Sequence, residues 1–443
     1  MKRTLYSSLQ AWKHSSARKP LILKGARQVG KTYLLREFGL REYDATAYLN
    51  FDRDPNLAGL FLGKLDPQMI VKKISIYLGM PVLPGRTLII LDEIQNVPSA
   101  IGSLKYFQEE APEFHVAAAG SLLGLALMNK PTAFPVGKVA FLDLFPMTFG
   151  EFLEATGRSR LRDMIDTKAD FEPLDEIFHR ELVELLKIYE YVGGMPEAVA
   201  RYAAGGDLPE VREVHNQILA AHELDFRKHS GKNEAVRLGA VWNSIPTQLA
   251  GENKRFLYSA VEKFARAAAF KGSLQWFIEA GLVLRCAKVK TPRLPLAGYR
   301  EESIAKAYFF DTGLLSARLG LSPKTILESD RLFVEYNGAL AENFVAQELT
   351  AAAGMGSGSR GPFYWASDGQ AELDFLVESE GGIYPLEVKA GVSRRKRSLR
   401  VYDDRYHPPA LSRATLMNFR HDGEIWNLPL YAVSRFPALL SLN

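Results

Sequence analysis

A glycine-bounded stretch near the N-terminus constrains the fold of this chain more than any other feature. An apolar run over residues 20–23 is followed by Gly25, by Gly30 after a four-residue gap, and then by Lys31 and Thr32. The pattern predicts a strand, a tight loop and a helix that begins near Lys31. Glycine at both ends of the loop permits backbone angles that side chains forbid, so the amides turn inward. The helix adds unpaired amides and the positive end of its dipole, which favours an anion.

This loop is of the type that cradles the phosphates of a nucleoside triphosphate. We expect Lys31 to supply a positive charge to the β- and γ-phosphates and Thr32 to offer its hydroxyl to Mg²⁺. The predicted nucleotide-binding residues are Gly25, Ala26, Arg27, Gln28, Val29, Gly30, Lys31 and Thr32. The alternative is a glycine-rich turn that carries Lys-Thr by chance, which the flanking strand and helix disfavour.

A later strand ends in two acids. Residues 87–91 form a bulky, mainly apolar run, typical of a strand buried on both faces of a parallel sheet, and Asp92 and Glu93 follow. Acids at the carboxyl end of such a strand face the crevice where ligands bind. We expect Asp92 to hold Mg²⁺ and Glu93 to orient and polarise an attacking water, which favours an ATPase over a small-molecule kinase. The alternative is a helix-capping Asp beside a solvated Glu.

Two more strands are predicted, over residues 115–119 and 139–144. Ser121 follows the first of them and is a candidate for contact with the γ-phosphate or the attacking water. An equal alternative is that Ser121 caps a helix over residues 122–128.

Length and composition limit the number of domains and the class of protein. A chain of 443 residues is expected to form two to three domains, and 47% hydrophobic with 24% charged residues is typical of globular proteins. The net charge of +4 permits a nucleic-acid partner without arguing for one. A single cysteine, Cys286, excludes an internal disulfide and fits a reducing, cytoplasmic location. We find no signal-peptide pattern, and the longest uncharged apolar stretch, residues 116–128, is too short for a membrane span.

The middle of the chain has helical spacing from about residue 161 to residue 319, including residues 258–269. Residues 273–311 give a helix, a strand, a basic loop and a second strand, which is the outline of a winged helix. The predicted phosphate contacts in that module are Lys288, Lys290, Arg293 and Arg300. A winged helix that only packs against protein is the alternative.

The last region combines acids from a predicted helix and a predicted hairpin. Glu342 lies near the start of the helix, and Asp374, Glu387 and Lys389 lie on two strands joined by a turn at residues 380–382. Because strand side chains alternate, the three strand residues face one side. The set resembles the PD-(D/E)xK signature of restriction-endonuclease-like domains. The resemblance implies Mg²⁺ on Glu342, Asp374 and Glu387, with Lys389 acting on metal-bound water or on phosphate; the alternative is a solvated charge pair.

The order of these segments resembles the prokaryotic AAA-type ATPases related to archaeal ATPases, which join such a core to a C-terminal region of unknown function. The likeness rests on residues 25–32, 88–93, 119–121 and 145–152. It implies a five-stranded parallel ATPase core, ATP as nucleotide, and Lys31, Thr32, Asp92 and Glu93 in the roles given above. Relatives usually carry Gly-Arg before the fifth strand, as a γ-phosphate or neighbour-facing finger. Here Lys138 follows Gly137 and keeps the charge without the bidentate fork.

The predicted fold is therefore a multidomain α/β protein. A parallel-sheet, P-loop AAA-type core spans residues 1–160, a helical region 161–230, a winged-helix-like domain 231–330 and an α/β restriction-endonuclease-like domain 331–443. ATP and Mg²⁺ are the predicted cofactors, DNA or RNA is a candidate partner, and a homo-oligomer is a candidate assembly. Two functions are weighed: an ATPase coupled to a nuclease, and an ATP-driven switch or scaffold whose C-terminal domain binds without cleaving.

Overall fold

The computed structural model describes residues 1–121, 135–229, 231–251, 254–262, 267–324, 332–354, 362–367, 369, 371–379, 382–389 and 397–441. The chain divides into two units. The first unit comprises residues 1–145 with 279–281, and the second comprises residues 146–278 with 282–443.

The first unit is built on a sheet of five strands that all run parallel. Its strands are β1 (Leu21–Lys24), β2 (Ala45–Asn50), β3 (Thr87–Asp92), β4 (His115–Ala119) and β5 (Ala140–Asp143). Their order across the sheet is β2-β3-β4-β1-β5. The connection after β1 runs towards β2 and the connection after β4 runs towards β5. The carboxyl ends of these two neighbouring strands therefore form a topological switch point, where ligands bind in open α/β sheets.

The helices of the first unit are α1 (Tyr6–His14), α2 (Lys31–Glu42), α3 (Pro67–Leu78) and α4 (Pro98–Glu110). Local sequence explains the bounds of α3. The Asp66 carboxylate accepts hydrogen bonds from two backbone amides of the first turn, Pro67 occupies the first helical position, and Gly79 ends the helix with a φ of 65°.

The core of the first unit holds the strand ends in place. Every residue of β3 and β4 is buried, as the continuous apolar runs predict. Leu91 and Ile89 of β3 pack in one cluster with Leu104 and Phe107 of α4. Each such side chain contributes roughly 1.5–3 kcal/mol by its burial, so the residues that follow the strands are fixed by a well-packed frame.

Helices dominate the first half of the second unit. They are α5 (Phe149–Ala155), α6 (Ser159–Asp166), α7 (Glu176–Val192), α8 (Pro196–Ala203), α9 (Leu208–His229), α10 (Lys232–Ala250), α11 (Ala267–Glu279) and α12 (Thr312–Arg318). Later helices are α13 (Leu332–Gly354), α14 (Arg397–Tyr406) and α15 (Ala438–Ser441). The helix predicted over residues 258–269 is only partly present. Tyr258–Ala260 form a 3₁₀ turn, and α11 begins at Ala267.

A mixed eight-stranded sheet forms the rest of this unit. Its strands are β6 (Val283–Val289), β7 (Arg300–Phe309), β8 (Phe363–Ala366), β9 (Glu372–Ser379), β10 (Gly382–Val388), β11 (Leu411–Thr415), β12 (Arg420–Asp422) and β13 (Ile425–Pro429). They lie in the order β12-β13-β11-β10-β9-β8-β6-β7. The antiparallel hairpin of β9 and β10 confirms the sequence prediction for that segment.

The hairpin of β6 and β7 is where the sequence places a winged helix. In the structure β6 pairs in parallel with β8, so the hairpin belongs to the same sheet as the C-terminal strands. Strands that the sequence assigned to two domains, 231–330 and 331–443, therefore share one sheet. The predicted helix over residues 122–128 and the first half of the basic run at residues 393–400, a candidate contact for a phosphodiester backbone, lie outside the described residues. Among the described helices, none has the length and apolarity needed to cross a bilayer.

Candidate active site

The loop between β1 and α2 has the backbone that the sequence predicts. Gly25, Gln28 and Gly30 have φ angles of 147°, 66° and 96°. A Cβ on Gly25 would lie 2.2 Å from the carbonyl oxygen of Leu144, so that position excludes any side chain. Repeated positive φ angles in a short loop form a concave nest of amides suited to an anion. The loop leads directly into the N-terminus of α2, which favours the same charge.

Lys31 lies at the start of α2 and is 8% exposed. Its ammonium donates hydrogen bonds to the carbonyl oxygens of Gly25 (2.9 Å) and Ala26 (2.7 Å). Burial lowers the pKa of Lys31 to about 8, although Glu93 and Asp92 oppose that shift. The lysine therefore carries its charge on the loop itself and is held there by neutral acceptors.

Asp92 ends β3 and is 3% exposed. Its carboxylate accepts hydrogen bonds from Thr32 Oγ1 (2.9 Å to Oδ2), Tyr48 Oη (2.7 Å) and Asn50 Nδ2 (3.1 Å). Tyr48 and Asn50 belong to β2, and Asn50 is the register partner of Asp92. All three of these side-chain donors are uncharged, and within the described part of the chain no cationic side chain is bonded to the carboxylate.

The pair of Thr32 and Asp92 fits a magnesium ion. Mg²⁺ prefers oxygen ligands at 2.0–2.1 Å in octahedral geometry, which places neighbouring ligand oxygens about 2.9 Å apart. Thr32 Oγ1 and Asp92 Oδ2 are 2.9 Å apart. A hydroxyl and a carboxylate at this spacing, beside a phosphate-type loop, would provide the protein part of a magnesium site that water and phosphate oxygens complete.

Glu93 follows with a φ of 53°, in the left-handed region that non-glycine residues seldom adopt. Such backbone angles cost about 1–3 kcal/mol and cluster at functional sites. The carboxylate of Glu93 accepts hydrogen bonds from Gln95 Nε2 and, at 3.4 Å, from Ser121 Oγ. The structure thus brings together Glu93 from the end of β3 and Ser121 from the end of β4.

The structure also shows which predicted residues lie apart. Lys138 precedes β5, and its ammonium pairs with Glu109 at the end of α4 (2.8 Å). Because all strands run parallel, this is the amino edge of the sheet, opposite the phosphate loop after β1. Lys138 therefore does not reach the phosphate loop of its own chain, and only its neighbour-facing role stays a prediction. Within the loop, Val29 and Ala26 are buried, whereas Gln28 is exposed and Arg27 is half-buried.

Tyr48 and Asn50 are the residues of this site that sequence reasoning missed. The sequence also predicts a strand over residues 46–52, which the structure has as β2 (Ala45–Asn50), and polar residues near its carboxyl end were the available signal. No spacing rule links that end to Asp92, because the two strands meet only through the sheet.

In the second unit, the predicted nuclease-type residues do come together. Val388 donates its amide to Asp374 Oδ2 (2.9 Å), and Lys389 Nζ lies 3.0 Å from Glu387 Oε1. Glu342 of α13 reaches the same cluster through Lys306 of β7, which contacts both Glu342 and Asp374. The acids that the sequence places at one site therefore lie close together in the structure.

The predicted metal role of Glu342, Asp374 and Glu387 is not reproduced. Among residues that the structure describes, no group of three or more His, Cys, Asp or Glu side chains is arranged to hold a metal ion. The physical reason is Lys306, whose Nζ lies 3.3 Å from Asp374 Oδ1. Burial alone would raise the pKa of Asp374, but Lys306 and then Lys389 hold it below its usual range.

Comparisons with known proteins find relatives that are similar in sequence and solved structures that are similar in fold. Over 393 residues, the chain is 25% identical to two uncharacterized proteins, Mb2031c of Mycobacterium bovis and Rv2008c of Mycobacterium tuberculosis. These alignments cover 86% of this chain and 73% of each relative. Among solved structures, an ORC2 protein of Aeropyrum pernix in ADPNP and ADP complexes aligns at 14% identity with a TM-score of 0.37. It covers 72% of this chain and 94% of that one. An ORC1 protein of the same organism bound to DNA aligns at 15% identity and a TM-score of 0.29, covering 72% and 91%.

Family matches divide the chain into three segments. Residues 183–325 and 337–432 match two domains of unknown function, DUF8612 and DUF4143. Residues 17–153 match the AAA domain, a segment that contains the phosphate loop, Asp92, Glu93 and Ser121. The first unit therefore combines a five-stranded parallel sheet with the sequence of an AAA domain, and this combination supports a P-loop ATPase.

Proposed function

We propose that the chain binds Mg²⁺–ATP at the loop of residues 25–32 and hydrolyses it. The observation that carries the proposal is the convergence of Lys31, Thr32, Asp92 and Glu93 on the carboxyl edge of one parallel sheet. The match of residues 17–153 to the AAA domain supports the same activity. The single buried cysteine suits a cytoplasmic setting for it.

Each residue has a role that follows from its contacts. Lys31 exchanges its two carbonyl acceptors for oxygens of the β- and γ-phosphates. Thr32 and Asp92 hold the magnesium ion, which when bound neutralises charge on the phosphate oxygens. Glu93 orients the water and accepts its proton as the water oxygen bonds to the γ-phosphorus. The bond from that phosphorus to the bridging oxygen breaks, and ADP leaves with phosphate. Ser121, 3.4 Å from Glu93, positions that carboxylate or the water beside it.

Two variants test the proposal separately. Lys31→Ala is expected to lose the calorimetric heat of Mg²⁺–ATP binding, because the point charge of the loop is gone. Glu93→Gln is expected to bind ATP with unchanged affinity and to hydrolyse it at least ~100-fold more slowly. Lys105→Ala and Glu110→Gln, on the exposed side of α4, are matched controls for the loss of each charge. Hydrolysis at the normal rate by Glu93→Gln would show that another group activates the water.

For the second unit we propose the switch or scaffold role over nuclease coupling. Its acids are nuclease-like in placement, but Lys306 lies among them. The test is incubation with Mg²⁺ or Mn²⁺ and plasmid or single-stranded DNA, with and without ATP. We expect no cleavage while ATP hydrolysis continues. Cleavage that is lost in Glu387→Ala and Lys389→Ala but kept in Lys31→Ala would restore the nuclease function.

We also propose nucleic acid, DNA or RNA, as a partner of the β6–β7 hairpin. Lys288 is engaged with Glu301 (3.0 Å), whereas Lys290 and Arg293 are exposed in the basic loop. Charge contacts of this kind make binding fall with salt. A Lys290→Ala, Arg293→Ala double variant is therefore expected to reduce the salt slope of DNA or RNA binding by about 2. Binding of the parent chain that does not depend on salt would contradict this.

The neighbour-facing role of Lys138 is proposed only for an oligomer of this chain. Lys138→Ala is then expected to slow ATP hydrolysis at concentrations where sedimentation shows assembly, and to leave the monomer unaffected. An equal effect at all concentrations would assign the loss to the ion pair with Glu109 instead.

A further inference from the structure

A buried lysine lies at the centre of the acidic cluster in the second unit. Lys306 projects from β7 and is 1% exposed. Its Nζ lies 2.8 Å from Glu372 Oε1, 3.3 Å from Asp374 Oδ1 and 3.7 Å from Glu342 Oε2. Carboxylates from β9 and α13 thus converge on one nitrogen atom, in the manner in which ligands converge on a cation.

The charge of Lys306 is retained in this buried position. Burial alone would lower its pKa, but Tyr308 and the three carboxylates raise it well above the usual lysine value. A buried charge is tolerated only when it is paired and hydrogen-bonded. Lys306 meets that condition, because three carboxylates lie within 4 Å of its Nζ.

Among the described residues, the ion pairs of the cluster balance in charge without a metal ion. The acids are Glu342, Glu372, Asp374 and Glu387. The bases that contact them are Lys254, Arg255, Lys306 and Lys389. These are four negative and four positive charges, so a divalent cation that entered the cluster would leave an excess of two positive charges. It would also meet the ammonium at close range in a medium of low dielectric constant, where like charges repel strongly.

One acceptor of the cluster remains without a bond. Glu387 Oε2 is buried and has no hydrogen-bond partner among the described residues, while Lys389 contacts its other oxygen. If the side chain of Lys306 were removed, Asp374, Glu342 and Glu372 would lose their central partner, and the charge balance of the cluster would become negative.

We infer that the ammonium of Lys306 takes the place of a metal ion among Glu342, Glu372 and Asp374, and that removal of this one side chain creates a divalent-cation site. The second unit thus contains a group of potential metal ligands, and Lys306 prevents a metal ion from binding to them. This inference does not depend on ATP hydrolysis by the first unit, and its failure would leave that proposal untouched.

The test compares Mn²⁺ binding by the full chain and by two variants, using the electron paramagnetic resonance signal of free Mn²⁺. All proteins carry Asp92→Asn and contain no nucleotide, which removes the metal ligand of the first unit. Lys306→Ala is expected to bind one Mn²⁺ at least tenfold more tightly than the parent. Lys306→Arg keeps the cation and is expected to behave like the parent.

A second measurement applies if a variant does not fold. If Lys306→Ala unfolds alone, added Mn²⁺ is expected to restore folding, because a ligand bound only by the folded state stabilises it; Lys306→Met preserves the packing volume for the same comparison. The inference is overturned if the parent binds Mn²⁺ at a site that Asp374→Asn abolishes. It is also overturned if Lys306→Ala or Lys306→Met folds and binds Mn²⁺ no more tightly than the parent, or if Mn²⁺ fails to rescue both unfolded variants.

Discussion

Asp92 in the first unit and Asp374 in the second are both carboxylates on strands, and each belongs to a site with a buried lysine. Their partners differ. Asp92 is held by the neutral donors of Thr32, Tyr48 and Asn50, whereas Asp374 is held by the ammonium of Lys306. A carboxylate with neutral donors keeps its charge available for an incoming cation. A carboxylate that already faces an ammonium does not, even when the surrounding motif is of the metal-binding kind.

The first test of this contrast measures ATP turnover. Asp92→Asn is expected to lower kcat at least ~100-fold, about 2.7 kcal/mol in the activation barrier, because the amide is a poor magnesium ligand. Asp374→Asn is expected to leave kcat unchanged when the rate is corrected for the folded fraction by circular dichroism. Steady-state phosphate release measures both. Equal losses of kcat in the two variants would show that the two carboxylates do not differ in their contribution to ATP turnover.

The next test removes each lysine. Lys306→Met leaves the largely buried carboxylate of Asp374 without its ammonium partner, so we expect a loss of about 3–5 kcal/mol in the free energy of unfolding of the second unit. Lys31→Met leaves only two carbonyl oxygens without a donor and removes a buried charge. We therefore expect the free energy of unfolding of the first unit to change by no more than about 1 kcal/mol at pH 7. Trp12 reports on the first unit, since the other four tryptophans lie in the second. A larger loss from Lys31→Met than from Lys306→Met would reverse the comparison.

The pH dependence of the first unit follows from Lys31. Its pKa in the folded chain is about 8 and its usual value is 10.5. Between these values the unfolded chain binds more protons, so stability rises as pH increases from 8 to 10.5, by up to about 3 kcal/mol. Urea unfolding followed by Trp12 fluorescence measures the slope, and Lys31→Met is expected to flatten it. A slope that persists in that variant must arise from other groups.

The smallest effect concerns a buried acid of the second unit. Burial raises the pKa of Glu190 to about 8, and its Oε2 lacks a hydrogen-bond partner within the described residues. The folded chain keeps a proton that the unfolded chain releases above about pH 4.5, so stability falls as pH rises from there to 8. Glu190→Gln is expected to raise the stability of the second unit at pH 8 by about 1–2 kcal/mol. No gain, or a loss, would mean that the carboxyl group is needed for another contact.

Sequence alone predicted the parts of the structure that local rules determine. The loop of residues 25–32 and the acids after β3 follow from spacing and from apolar runs, and the β9–β10 hairpin follows from alternation and a glycine turn. Lys306 was not predicted as a site residue. A lysine in a strand is usually solvent-exposed, and its burial here depends on α13 and β9, which are 36 and 68 residues further along the chain.

The same non-local pairing explains the remaining differences. The β6–β7 hairpin has the local pattern of a wing, but whether it stands alone depends on β8, which nothing in residues 273–311 encodes. Lys138 was expected near the γ-phosphate because of the residue type before the fifth strand. The direction of that strand instead places Lys138 beside Glu109, on the opposite edge of the sheet.

The pairing of β6 with β8 has a consequence for synthesis on the ribosome. Ala287 is the register partner of Phe363, so 75 residues of nascent chain separate the first strand from the one that covers its edge. Until that segment emerges, β6 presents unpaired amides and carbonyls to any chain nearby. Co-translational folding of this sheet therefore has to wait for β8, and the interval before β8 emerges is the stage at which strand exchange between copies is most favoured.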